Sequence, residues 1–241
     1  MTKLDIIIPV YNEDENIIRL LKLLDSQVNC DFRVLICFDS ESDTTLKHLK
    51  NSNIIKNEML FVKNPKQGPN SAIIEGIKSS RSKIILVYMA DDFENIRLIN
   101  HMVDLIEDGN DLVIPSRFVV GGKMIGAVKS KEIITRTGSQ LIYHLARIPY
   151  KDCTNAFKMF SASIVNKIQF ASTTGFTFAL ELVAKSYFLN LKIIEIPSVW
   201  IEVKNRKSNF KMLKWIPYYI YWLLYSIIRN YTIKIKKFNN N

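Results

Sequence analysis

The chain has 241 residues, 48% of them hydrophobic, and a formal charge of +10. That length and apolar content suit a sizeable core, built as one large domain or one domain with an appendage, and exclude a disordered chain. The positive balance implies anionic partners such as phosphates, nucleic acid or an acidic membrane surface, and it is concentrated at one end: no acidic residue follows Glu202, while Lys204, Arg206, Lys207, Lys211, Lys214, Arg229, Lys234, Lys236 and Lys237 all lie beyond it.

The first half alternates apolar runs with helical patterns. LDIIIPV (4–10) reads as a buried strand, followed by a helix over NEDENIIRLLKLL (12–24) in which Asn12 and Glu15 have capping-box spacing. FRVLICF (32–38) is a second strand, TTLKHLK a short helix, MLFVKN (59–64) a third strand and SAIIEGIKSS a helix. KIILVYM (83–89) is a fourth strand, NIRLINHMVDLI (95–106) its helix, and DLVIPSR (111–117) closes the series. Strands that are apolar throughout and separated by helices indicate a mainly parallel sheet covered on both faces, an α/β doubly wound architecture.

The second half has a different texture: a glycine-bearing loop FVVGGKMIG, a helix near 130–147, the segment DCTNAFKMF, a helix near 176–189 and a strand in KIIEIPSVW. It ends in KMLKWIPYYIYWLLYSIIRNYTIKIKK, whose apolar core from Ile216 to Ile228 is shorter than the roughly 20 residues a bilayer-spanning helix needs. Its tryptophans and tyrosines favour a headgroup region and its cations favour anionic lipid. The expected division is 1–210 as the main domain and 211–241 as an amphipathic, aromatic-rich helical segment on a membrane interface, the alternative being a terminal helix packed on the domain.

Cys30, Cys37 and Cys153 are odd in number and lack CxxC spacing, which points to free thiols. His48, His101 and His144 are isolated and have no ligand spacing. MTKLDIIIPVYNE has too short an apolar run and turns acidic too soon for a signal peptide, so the expected place is the cytoplasm.

No GxGxxG follows the first strand and no GxxxxGK[ST] occurs, so neither phosphate loop holds a ligand here. The polar candidates sit at strand carboxyl ends: PVYNE (9–13), FDSESD (38–43), KQGPN (66–70), MADD (89–92) and PSR (115–117). Open α/β sheets place ligands at that edge. In LVYMADDFENI (86–96) the carboxylates Asp91, Asp92 and Glu94 have two readings: a helix start, where acids meet the positive dipole end, or a divalent-cation site.

PVYNE, FDSESDTT, GPNSA with Gly76 following, MADD, PSRFVVGG, DCTNAF and VWIEVKNRKSNFKMLKWIP together resemble the family 2 glycosyltransferases, above all the polyprenyl-phosphate (dolichol-phosphate type) sugar transferases, over residues 4–222. The resemblance implies a GT-A fold, a nucleotide-diphosphate sugar donor, a divalent cation (Mg2+ or Mn2+), inversion at the anomeric carbon and an acceptor that is a polyprenyl phosphate or lipid-linked saccharide. The implied partners are therefore the donor, the lipid acceptor and an anionic membrane surface, with no nucleic acid, and the implied location is peripheral on the cytoplasmic face of a membrane.

Carried over by position, the donor-binding set is Pro9, Tyr11, Asn12, Glu13, Asp39, Gly68 and Asp91; the metal set is Asp91 with Asp92 and Glu94; the catalytic set is Asp91, Arg117, Arg136 and Asp152. Arg117 and Arg136 match phosphate-facing arginines, and Asp152 is the candidate general base. Several positions depart from the family pattern. Met89 stands at the first aspartate of the Asp-x-Asp metal motif, Phe93 where glutamine is frequent, Phe38 at the first acid after the second strand, and Val203 with Arg206–Asn209 in the late basic loop. Methionine is no ligand for a hard cation. Two other readings stay open: a nucleotidyltransferase, which would normally carry a glycine-rich phosphate loop after the first strand, and a non-catalytic nucleotide- or lipid-binding relative, which Met89 favours.

Overall fold

A computed structural model describes residues 2–50, 56–127, 129–202 and 212–239. The elements in chain order are β1 (Leu4–Pro9), α1 (Asp14–Gln27), β2 (Phe32–Phe38), α2 (Thr44–Lys50), β3 (Met59–Lys63), α3 (Pro69–Ser79) and β4 (Ile84–Val87). A 3-10 turn, Asn95–Leu98, leads into α4 (Ile99–Glu107), then β5 (Leu112–Ser116), β6 (Lys123–Ile125), α5 (Lys129–Leu145) and β7 (Lys158–Ser161). The chain continues through α6 (Ser163–Lys167), α7 (Phe178–Phe188), β8 (Ile193–Pro197), β9 (Val199–Ile201) and α8 (Met212–Asn239).

The main sheet has the order β3-β2-β1-β4-β7-β5-β8. All its pairings are parallel except those of β7, which runs antiparallel between β4 and β5. The mixed α/β, mainly parallel architecture expected from the apolar runs is therefore present. The sequence pattern does not announce the inserted β7: of DCTNAFKMF only Lys158–Phe160 enter the sheet, and the strand opens with that lysine at a fully buried position. KIIEIPSVW also divides at Ser198, giving β8 to the main sheet and β9 to a separate parallel pair with β6.

Successive residues of β1 serve opposite cores, as strand periodicity requires. Ile6 and Ile8 pack with Ile17 and Leu20 of α1 and Met102 of α4, while Ile7 packs with Ile73 of α3 and Leu182 of α7. Gly76 lets α3 approach closely, because a Cβ there would lie 2.5 Å from Ile7 Cγ2 and 2.9 Å from Cys37 Sγ. At the amino-terminal edge, buried Asp5 accepts two hydrogen bonds from Arg33 and further ones from Ser80, Arg81 and Ser82. This pins the sheet edge opposite the candidate site.

The capping box expected from Asn12 and Glu15 does not form. Glu13 occupies the N-cap of α1 without a side-chain cap bond, and Asn12, with φ of 54°, turns instead toward α2. Its Oδ1 accepts from the backbone and hydroxyl of Thr44, and its N–H donates to Asp43 Oδ1.

The C-terminal segment is one helix, α8, with Pro217 near its start. Trp222 and Ser226 are buried against the core formed with α7, and Asn230 donates to the carbonyl of Ala146 just past α5. Tyr221, Leu224, Ile228 and Tyr231 are exposed. The helix thus packs on the domain through one face and presents an apolar, aromatic face outward. Among the described residues no helix is long and apolar enough to cross a membrane.

Replacing Gly76 with Ala should lower stability by about 1–2 kcal/mol, since overpacking beside a stiff β-branched side chain outweighs the gain in helix propensity. A urea-unfolding midpoint at or above that of the wild type would contradict the packing argument.

Candidate active site

The sheet order places the site. From β1 the chain winds outward through β2 to β3, then returns to the other side of β1 as β4. Loops leaving β1 and β4 consequently diverge, and the crevice between their carboxyl ends is where such sheets bind ligands. A cavity of about 1230 Å³ opens there.

Pro9, Tyr11, Glu13, Asp39, Gly68 and Asp91 line it together. Tyr11 is 58% exposed, leaving its ring face open for stacking. Its loop is braced from α2, where Thr45 Oγ1 accepts the Glu13 N–H at 2.9 Å. Asp39 ties two strand ends: Oδ1 accepts from Asn64 Nδ2 at 2.6 Å and Oδ2 from the Gly68 N–H at 2.9 Å. Gly68 has φ of +114°, a backbone state reserved for glycine, which aims that N–H at the carboxylate and starts α3 at Pro69. Asn12, by contrast, is not at the cavity; it caps α2 as described above.

The acidic cluster divides between its two readings. Asp91 lines the cavity. Asp92 accepts from the backbone and side chain of Asn95 and starts the 3-10 turn; burial pushes its carboxyl up, the Asn95 bonds opposing. Glu94 pairs with Arg97 at 3.2 Å on the surface. The structure thus does not bring Asp92 and Glu94, expected beside Asp91 as metal ligands, to the cavity wall. Among the described residues no group of three or more metal-ligating side chains forms. A hard cation held by one carboxylate plus ligand phosphates and water needs no such group, and Asp91 facing an open polar cavity fits that mode.

Arg117 and Asp152 form a bidentate pair. Arg117 Nε donates to Oδ2 and Nη2 to Oδ1, each at 2.7 Å, and the Arg117 N–H donates to Oδ2 at 2.9 Å. Asp152 is fully buried. Burial pushes its carboxyl up, but the Arg117 charge and hydrogen bonds, with the Lys158 charge, outweigh this and hold it below the usual carboxylate range. A carboxylate so engaged and so acidic is no general base, which overturns that assignment. It positions Arg117, which lines the cavity. Arg136 does not line it; it pairs with Glu132 one helical turn away and stacks over Phe118.

Other cavity residues have no role assigned from the sequence. Lys131 of α5 donates to both Glu202 oxygens at 3.0 Å and sits over the Trp200 ring. Gly175 presses its backbone on Trp215, where a Cβ would meet the indole at 2.7 Å. Beyond them the wall turns apolar, with Ile133, Ile134 and Leu141 of α5 facing Ile216, Tyr219 and Leu223 of α8. The basic loop with Val203, Lys204, Arg206, Lys207 and Asn209 lies outside the described residues.

The sequence profile of glycosyl transferase family 2 matches residues 5–169. The chain is 24% identical to the dolichol-phosphate mannosyltransferase of Pyrococcus furiosus over 200 residues, covering 81% of this chain and 55% of that protein. It therefore spans about half the length of that relative. The polyprenol monophosphomannose synthase of Mycolicibacterium smegmatis is 23% identical, covering 87% of this chain and 85% of that one. The undecaprenyl-phosphate mannosyltransferase of Micrococcus luteus is 26% identical, with 84% and 85% covered. Among solved structures, glucosyl-3-phosphoglycerate synthase from Mycobacterium tuberculosis, in complex with Mn2+, UDP-glucose and phosphoglyceric acid, superposes with a TM-score of 0.71 at 14% identity, covering 94% of this chain and 80% of that chain. At that identity the likeness establishes the fold, which is of the GT-A type.

Met89 lines the cavity with Asp91, so Met89→Asp should tighten Mn2+ binding about tenfold by adding an oxygen donor. Calorimetry with Mn2+ and UDP or GDP measures it, and an unchanged affinity would separate Met89 from the metal position. Asp152→Asn should lower stability at neutral pH on the order of 3 kcal/mol by leaving Arg117 without a counter-charge. A carboxyl whose folded pKa is depressed contributes stability above its unfolded value and loses it as pH falls through the folded value. The variant's acid-unfolding curve should accordingly lack part of the wild-type loss below the ordinary carboxylate range.

Proposed function

The chain belongs to glycosyl transferase family 2, and from that premise we propose that it moves a sugar from a nucleotide-diphosphate donor to a polyprenyl phosphate or lipid-linked saccharide, with inversion at the anomeric carbon. One observation carries the acceptor class: a single cavity is polar where the strands end and apolar where α5 faces α8. A donor with a charged diphosphate suits the first end and an isoprenoid chain the second. The names of the three curated relatives support this reading and make mannose the first sugar to test.

In the proposed reaction, Tyr11 stacks on the base, and Asp39 and the loop it fixes through Gly68 bound the nucleoside pocket. Asp91 would hold a divalent cation, Mg2+ or Mn2+, which neutralises charge on the leaving diphosphate when bound. Arg117, kept in place by Asp152, stabilises phosphate charge as a preorganised cation on the cavity wall. An acceptor phosphate is already anionic near neutral pH, so transfer to it needs no general base. That agrees with the burial of Asp152.

The proposed membrane contact is the exposed face of α8, with Tyr218, Tyr221 and Ile228 in the headgroup region and Arg229 meeting the phosphate of an anionic lipid surface. The proposed location is peripheral, on the cytoplasmic face. A second reading, binding without turnover, is favoured by Met89 at the first metal position.

Full-length protein incubated with UDP-, GDP- and dTDP-sugars, Mg2+ or Mn2+, and polyprenyl phosphate should form a lipid-linked sugar. Asp91→Asn should slow that transfer by a factor on the order of 100, comparable with the loss of one preorganised electrostatic contact, while preserving the melting temperature. Nucleotide binding with no product from any donor would favour the second reading. For the membrane, Tyr221→Asp with Ile228→Asp should sharply reduce co-sedimentation with phosphatidylglycerol vesicles, both sites being exposed. Undiminished sedimentation would remove α8 from that role.

A further inference from the structure

Lys158 is fully buried at the start of β7, and no step above uses it. Its ammonium donates to the carbonyl oxygens of Asp152 at 3.3 Å, Asn155 at 2.5 Å and Phe157 at 3.4 Å. Those acceptors match its three N–H groups. A buried ammonium is expensive, and a methionine would fill similar space without that cost. The charge therefore calls for an explanation beyond packing.

The explanation lies in the loop those three bonds close, residues 152–157. Asp152 grips Arg117, while Thr154, Asn155 and Ala156 line the cavity. From β8, Glu195 accepts the N–H groups of Lys151 and Asp152, each at 2.9 Å. The charged groups around the ammonium are thus Asp152, Arg117 and Glu195, and burial keeps the neighbouring Cys153 thiol neutral by raising its pKa. Arg117 and Lys158 carry two positive charges against the two carboxylates Asp152 and Glu195. Without Lys158 the carboxylates would outnumber the cations and Arg117 would be more than cancelled.

We infer that Lys158 is a positioning residue: it closes the 152–157 loop and offsets part of the Asp152 charge, so that Arg117 stays at the cavity wall with its positive charge available to phosphate. This rests on the reading of the cavity as a site for a phosphate-bearing substrate.

The ammonium is also titratable at mild alkaline pH. Burial lowers its pKa from 10.5 to about 8, against the raising effect of Asp152, Cys153 and Glu195, with Arg117 adding to the fall. Neutral Lys158 has two N–H groups for three carbonyls and no longer offsets Asp152. Phosphate binding should then weaken with a midpoint near pH 8. Global stability should not follow: between the folded and unfolded pKa values the unfolded chain binds more protons, so this group makes folding more favourable as pH rises. A purely structural lysine would not separate the two trends.

The test uses the full chain, wild type and Lys158→Met, with Arg117→Ala as the reference for lost phosphate contact. Binding of GDP and UDP is measured by calorimetry from pH 6.5 to 9.0, and the Arg117 Nε–H resonance is followed by NMR without ligand. Wild-type affinity should fall through pH 8 and the Arg117 resonance should move with it. Lys158→Met should bind on the order of tenfold more weakly at pH 7, as for one unit charge removed several ångströms away at an effective dielectric near 20, and show no such pH dependence. Wild-type affinity at pH 7 in folded Lys158→Met, or an Arg117 resonance that stays fixed in the wild type, would overturn the inference. If Lys158→Met does not fold, the wild-type titration decides. If neither nucleotide binds, the reading of the cavity fails, and the Arg117 resonance still judges the positioning role.

Discussion

Where β1 and β4 lie side by side at the centre of the sheet, the connection leaving one strand turns away from the connection leaving the other. The space between them has to be filled by side chains from loops distant in sequence, and every polar group the candidate site uses is delivered by that requirement. Tyr11 arrives from β1, Asp39 from β2, Gly68 from the turn after β3, Asp91 from β4 and Arg117 from β5. None of them is close to the others along the chain. Their meeting depends on parallel strands ending on one edge.

The aspartates of this edge illustrate how environment assigns different work to one side chain. Asp39 spends a hydrogen bond from each oxygen on joining two loops. Asp92 starts a helical turn, Asp152 is consumed by Arg117, and Asp91 lines the cavity. Asp152, held by the charge and hydrogen bonds of Arg117, is fixed and acidic, so it orients that neighbour and does not take protons. Of the four, Asp91 is the one whose place on the cavity wall suits a cation shared with a ligand. Asp91 and Asp92 are adjacent in sequence, and the turn that follows β4 delivers them to different surroundings.

The parallel strands were legible because a strand buried on both faces leaves an unbroken apolar run, as FRVLICF does, with all seven residues of β2 buried. The antiparallel β7 was not, since its first residue is charged and its compensation comes from carbonyls that no sequence pattern announces. Pro9, Tyr11, Glu13, Asp39, Gly68, Asp91 and Arg117 line one cavity, and the sequence points there because each lies at a strand's carboxyl end or in the loop that leaves it. Asn12 and Arg136 were misplaced for a shared reason: a polar side chain near the site was captured by a structural partner, Thr44 in one case and Glu132 in the other. Lys131 has no motif, and Trp200 and Glu202 carry no assigned role within VWIEV, because a helix and a two-stranded ribbon bring them in and neither has a strand-end signature.

Helix α8 was ambiguous in sequence because it answers to two environments at once. Trp222 and Ser226 recur at helical spacing and are buried, whereas Tyr221, Leu224 and Ile228 occupy the outer side. Aromatic residues on both faces erase the polar stripe that usually separates core from solvent in a surface helix. The same helix supplies Ile216, Tyr219 and Leu223 to the apolar end of the cavity. If the outer face rests among lipid headgroups, a long isoprenoid chain can leave the cavity beside α8 without crossing water. Its phosphate then approaches Arg117 while its tail remains in an apolar medium, which removes most of the desolvation cost of binding such an acceptor. On this view the exposed aromatics and the cavity wall are two sides of one device, and the packing of Trp222 that holds α8 to the domain sets the distance between membrane and sugar donor.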